Sequence, residues 1–246
     1  MVEPSPTGHR QLSAAPSPEA RRARRRAGVA FIAAAGTVAG TCAVALAVIA
    51  GAAPTLSGYV SEAGVFGDYA RVYRAGIFLV AGALLGCATV LPPGLRPAVT
   101  LLVVGAAGTT VSGAVKCSAG CPLPPFEPTT PADLVHGGAS IVGAGAAVLS
   151  MVVLALSTAT PRPVRTSARV GAAVSLPLAA VMIAALLTVG RSTFSGIVER
   201  VLLLAVAVWL TATTLGLGRV ALRAAGGLVA VGNRADTRRW PFTRRR

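Results

Sequence analysis

Apolar and polar positions in this chain are sorted into long blocks, with almost no mixing inside the apolar ones. Six apolar runs stand out, at residues 28–53, 75–91, 98–115, 134–157, 170–190 and 197–217. A hydrocarbon layer about 30 Å thick takes roughly 20 apolar residues per helix, and most of these runs are that long. Lipid supplies no hydrogen-bond partners, so only helices or closed barrels can cross it. Barrel strands alternate polar and apolar residues over about ten positions, and these runs do not alternate. The pattern predicts an all-α membrane protein of six transmembrane helices, spanning 28–218. Residues 1–27 are expected to be a disordered basic arm and 219–246 a basic tail. The stretch 220–231 is apolar but short and contains Arg223, so it reads as an extension of the sixth helix or a surface segment.

Composition agrees. Hydrophobic residues make up 54% of the chain, charged residues 13%, and mean hydropathy is +0.70; soluble domains carry about a quarter charged residues. The net charge of +15 would point to nucleic acid in a soluble protein, but the placement of the arginines gives a better account. With the N-terminus inside, the inner segments hold Arg10, Arg21, Arg22, Arg24, Arg25, Arg26, Arg96, Arg162, Arg165, Arg169 and the tail arginines from Arg219 to Arg246, whereas the outer segments hold Arg71, Arg74, Lys116, Arg191 and Arg200. This bias predicts both termini in the cytoplasm, a bacterial plasma-membrane location, and tails drawn to anionic inner-leaflet lipid rather than to nucleic acid. The first apolar run exceeds the 7–15 residues of a signal-peptide core, so it is expected to be an uncleaved anchor.

Small residues offer close helix contacts. Gly36 and Gly40 lie in the first helix, Gly82 and Gly86 in the second, and Gly137, Gly138, Gly143 and Gly145 in the fourth; such spacing lets backbones approach in lipid. Pro177 is expected to kink the fifth helix and free a carbonyl for Ser175 or a neighbour. Cys42 and Cys87 are expected to be small buried apolar residues. Arg74, His136 and Arg200 recur about every 63 residues, a spacing that either marks three similar hairpins or follows from six helices of similar length.

Candidate chemistry gathers at the outer face. Asp133 and His136 lie three apart and share a helix face; Glu199 and Arg200 begin the sixth helix, and Glu62 lies in the first outer loop. Read as a site, Asp133 orients His136, and Arg200 holds an anionic group or pairs with Glu62 or Asp133. Read as structure, Asp133 caps its helix, His136 sits at the wet interface, and Glu199 and Arg200 anchor to headgroups. Cys117 and Cys121 flank three residues, the last of them Gly120. Three states are open to them: a disulfide, which the oxidising side favours, free thiols, or metal ligation, for which His136 adds too few ligands. No metal or cofactor is expected. Phosphate-loop, zincin and nucleophile-elbow motifs are absent from the sequence.

Three stretches carry a likeness: Tyr59-Val-Ser-Glu62-Ala-Gly64; Cys117-Ser-Ala-Gly-Cys121-Pro122-Leu-Pro-Pro with Asp133-Leu-Val-His136-Gly137; and Gly196-Ile-Val-Glu199-Arg200. The chain resembles the bacterial and archaeal membrane family called domain of unknown function 998 over roughly residues 28–218. That resemblance implies six helices, brings no settled activity, and groups Ser61, Glu62, Asp133, His136, Glu199 and Arg200 as one set. The expected function is non-enzymatic: an outward polar pocket for a small ligand, lipid headgroup or partner protein. The alternatives are a lipid hydrolase or transferase using His136 and Asp133 as an acid/base pair, and a small transporter.

Overall fold

A computed structural model describes residues 17–51, 56–65 and 67–237, with side chains through 228. Six α-helices follow one another: α1 (Pro18–Ala50), α2 (Ala70–Val90), α3 (Arg96–Ala114), α4 (Pro131–Leu156), α5 (Arg162–Thr188) and α6 (Thr193–Thr237), with a short 3-10 helix, Val60–Gly64, between α1 and α2. No strand occurs among the described residues. All six helices are long and apolar enough to span a bilayer.

The helices form a closed ring in chain order. Each packs on its sequence neighbours, and α6 returns to pack along α1. Contacts across the ring, α2 with α6 and α4 with α6, are sparse. One end of the ring carries the α1–α2, α3–α4 and α5–α6 connections; this is the loop end. The other carries the chain termini.

α1 begins ten residues before the expected start at 28, so the basic run 21–26 is helical rather than disordered. The local cause is a full set of helix-start signals: Ser17 accepts the Ala20 N–H at 3.2 Å, Pro18 opens the helix, and Glu19 sits in its first turn. Alanine and arginine, both good helix formers, then carry it forward. Residues 1–16 of the arm and 238–246 of the tail lie outside the described residues. The stretch 220–231 continues α6.

Core packing is concentrated toward the termini end. Leu95, Leu102, Met151, Leu154, Val164 and Leu210 are fully buried there, with Trp209 against them. The closest backbone approach on the α1–α2 face is Gly40 on Gly76: a Cβ at residue 40 would stand 2.6 Å from the Gly76 carbonyl oxygen, and one at residue 76 would stand 2.7 Å from that of Gly40. Gly143 plays the same part against Gly108 on the α3–α4 face. Gly82, Gly138 and Gly145 face open space, so small size there serves no helix contact inside the bundle. Cys42 is exposed on the outside of the ring, contrary to expectation, whereas Cys87 is buried. Residue 42 lies two positions from the Gly40 contact, which turns it roughly 200° around the helix and away from α2. The Ser175 hydroxyl is buried without a partner, so it does not take up the carbonyl that Pro177 leaves free.

Candidate functional site at the loop end

The first connection folds back over the ring as a roof. Its 3-10 helix starts at Tyr59, whose N–H donates to Glu62 Oε1 at 3.0 Å. Three further ties hold this roof to α6 and to the turn before it. The Val60 N–H donates to Glu199 Oε2 at 2.8 Å. Arg200 donates to the Gly58 carbonyl at 3.0 Å and to the Gly196 carbonyl at 2.8 Å. Arg191 grips Glu62 with two bonds of 2.8 Å, Nε to Oε1 and Nη2 to Oε2. Glu62 raises the pKa of the Arg191 guanidinium by holding its charged form through these bonds. Residue 196 is glycine because the Leu56 carbonyl occupies the space a Cβ would need. Tyr59 packs against Cys117 and Cys121, and its burial pushes the phenol up to about 12.

The second connection is fixed from α4. Thr130 and Asp133 form a reciprocal cap: the Asp133 N–H donates to Thr130 Oγ1 at 3.3 Å, and Asp133 Oδ2 accepts from the Thr130 N–H at 2.8 Å and the hydroxyl at 2.7 Å. The same carboxylate accepts the Ser118 N–H at 2.6 Å and the Ser118 hydroxyl at 3.1 Å. Asp133 is therefore both a helix cap and the anchor of the Cys117–Cys121 turn.

It does not orient His136. That ring is held through Nδ1, 2.9 Å from the Val115 carbonyl oxygen, while Nε2 is buried with no partner. Nor does Arg200 pair with Glu62 or Asp133 through any bond the structure records; Arg191 takes Glu62 instead. Arg191 was legible in the sequence only as one charge on the outer side, because a partner 129 residues away leaves no local signal.

The sulfurs of Cys117 and Cys121 lie at bonding distance, with Cα atoms 5.0 Å apart, inside the range a disulfide spans. Gly120 supports the turn with a φ of +85°, a conformation glycine adopts without steric cost. A His136 ring nitrogen falls within 4.8 Å of both sulfurs. Joined as a disulfide, these sulfurs offer no thiolate to a metal; as thiols, with His136 they make three ligands, one short of a closed structural zinc set.

Beneath the roof lie two adjoining cavities. The larger, about 600 Å³, runs between α1, α2, α3, α4 and α6; the smaller, about 180 Å³, lies between α4, α5 and α6. Ser61, Ser140, Ala144, Glu199 and Leu203 line both. Asp133 and His136 border the smaller and Arg200 the larger, while Glu62 borders neither and stands in the roof. Ser112 and Ser140 share a hydrogen bond of 2.7 Å in the large cavity's wall, and Ser140 also donates to the His136 carbonyl at 2.9 Å. These two serines were missed from sequence; hydroxyls at matching depth on neighbouring helices were the available signal.

The sequence profile of a protein family of unknown function, DUF998, matches residues 32–216. The chain belongs to that family. The match covers all six helix cores, so this DUF998 protein is an integral membrane protein of the multi-pass type, of unknown activity. No curated protein and no solved structure matches it.

Proposed function

We propose that this DUF998 protein is a non-enzymatic binding protein of a bacterial plasma membrane, with both termini in the cytoplasm and the loop end outside. Its ligand occupies the roofed cavity pair. The observation that carries this reading is the convergence of Ser61, Glu199 and Ser140 on both cavities in a mainly apolar setting; apolar walls with a few placed polar groups are the usual make-up of a small-molecule site, and 600 Å³ lies within the usual size range. The Asp133 carboxylate is committed to Ser118 and Thr130, which favours binding over an Asp-His acid/base reaction. The filled core around Leu102, Met151, Leu154 and Leu210 favours binding over transport. In this reading Cys117 and Cys121 form a disulfide that staples the second outer connection, and the arginines of α1 and α6 near the termini lie against anionic inner-leaflet lipid.

Native mass spectrometry of the purified protein tests it. Small molecules carried through purification should be present on the wild type, lost from Ala144→Trp, which fills both cavities, and retained on Leu149→Trp, whose side chain faces outward. Equal loading of all three proteins, or none on any, would refute the reading.

A further inference from the structure

The shape of the larger cavity says more about what it holds. Its lining on α6 runs from Glu199 to Leu210 and on α2 from Tyr73 to Leu84. Each stretch advances eleven residues, or about 16 Å at 1.5 Å per residue. That is close to half of a hydrocarbon layer of about 30 Å, so the cavity is as deep as one leaflet. Its charged groups, Glu199 and Arg200, stand at the loop end with Ser61 and Tyr73; below them the wall is mostly apolar, with Val44, Val48, Ile77 and Val80, and of the hydroxyls there those of Thr41 and Ser140 donate to carbonyls of their own helices while Ser112 bonds to Ser140. A charged head above a mainly apolar depth follows the order of groups in a leaflet.

The cavity is also open to the side. Ile49 and Leu204 are lining residues, and they are 75% and 56% exposed on the outer surface of the ring. The wall therefore reaches the lipid-facing surface between α1 and α6, near the loop end. At ~30 Å³ for each water-sized group, 600 Å³ holds about twenty such groups, enough for one long chain and a compact head.

The polar end has a chemical bias. Glu199 is an acceptor, and one of its oxygens already holds the Val60 N–H. Arg200 turns one guanidinium nitrogen to the Gly58 and Gly196 carbonyls. Among the described residues no hydrogen bond engages the Ser61 hydroxyl. Glu199 is the ionisable group that lines both cavities, whereas Arg200 lines only the larger; the Glu199 carboxylate favours a ligand head that donates hydrogen bonds over a carboxylate or phosphate, and the Ser61 hydroxyl serves either as donor or as acceptor.

Resting on the binding reading above, we propose that the ligand is a single-chain membrane amphiphile with a donor head, a hydroxyl or an ammonium. It enters sideways from the bilayer between α1 and α6, lays its chain along α2 and α6 for the depth of one leaflet, and ends its head at Glu199 and Ser61.

The test uses full-length protein in detergent and four probes: hexadecylamine, monopalmitoylglycerol and palmitate, which share a sixteen-carbon chain, and octylamine. Native mass spectrometry reads occupancy. The amine and the glyceride should bind at least about tenfold tighter than palmitate, and octylamine at least about tenfold weaker than hexadecylamine. Glu199→Gln, which keeps an acceptor for Val60, should reduce amine binding about tenfold or more while leaving the melting temperature near wild type. Ala144→Trp should remove all four. Palmitate binding as tightly as the amine, or head preference unchanged in Glu199→Gln, would overturn the donor-head assignment and leave the binding reading intact. Octylamine matching hexadecylamine would overturn the chain channel. Loss of every probe from the wild type would overturn both.

Discussion

Glu199 and Val60 are joined across 139 positions by one hydrogen bond of 2.8 Å, from a backbone N–H in the roof to a carboxylate on α6. Val60 is 5% exposed, so its N–H has no ready access to water. The carboxylate therefore does two things: it satisfies the roof and it borders the cavities beneath.

Removing that acceptor should loosen the roof. Glu199→Ala leaves the Val60 N–H orphaned, at a cost of about 1–3 kcal/mol. The expected outcome is a fall in Tm of roughly 2–10 °C for a chain of this size, with Glu199→Gln much closer to wild type. Thermal unfolding in detergent, followed by circular dichroism, reads this directly; equal Tm values for wild type and Glu199→Ala would sink the idea that this bond holds the roof.

The Arg191–Glu62 pair should matter less, despite its two good hydrogen bonds. The two side chains are 34% and 16% exposed, and solvent-exposed pairs contribute about 1 kcal/mol or less. A double-mutant cycle of Arg191→Ala and Glu62→Ala should give a coupling energy of that size, shrinking in 1 M salt. A coupling well above 2 kcal/mol, insensitive to salt, would mean that the pair is far more shielded than its exposure says.

Two glycines at equivalent-looking positions should behave oppositely. Gly40→Ala drives a Cβ against the Gly76 carbonyl oxygen, and overpacking of this sort costs about 1–3 kcal/mol. Gly82→Ala meets nothing within 4 Å and should lie within about 0.5 kcal/mol of wild type. Detergent stability of the two variants side by side checks the α1–α2 crossing; similar losses in both would place the contact elsewhere.

Cys117 and Cys121 should resist an impermeant maleimide in intact cells until a reductant is added, and then label together. Cys42 and Cys87, within the spans, should stay unlabelled throughout. Replacing both loop cysteines with serine should cost about 2 kcal/mol on the chain-entropy account of so short a ring. Labelling of the loop pair only after cells are broken would reverse the proposed orientation of the bundle.

Much of the architecture was legible in the order of residues. Six uninterrupted apolar runs dictate six helices because lipid leaves the backbone no other way to bond itself, and the motifs around Ser61, Asp133, His136 and Glu199 marked the loop end as the place of interest. The start of α1 was misjudged because a basic run reads as solvated chain, while Ser17, Pro18 and Glu19 together cap a helix strongly enough to draw that run into it. The partners were not legible at all. Asp133 and His136 share a face, which suggested a pair, yet each is held by the connection next to it: Asp133 by Ser118 and Thr130, His136 through Nδ1 by Val115. Arg191, a bare charge in the sequence, is the residue that meets Glu62. Hydropathy is a property of each segment alone, so sequence determines which segments enter the membrane. A hydrogen bond between distant segments depends on where the ring brings them, and the ring is set by helix packing; only the tertiary structure decided that the roof closes on Glu199 and leaves a cavity below it.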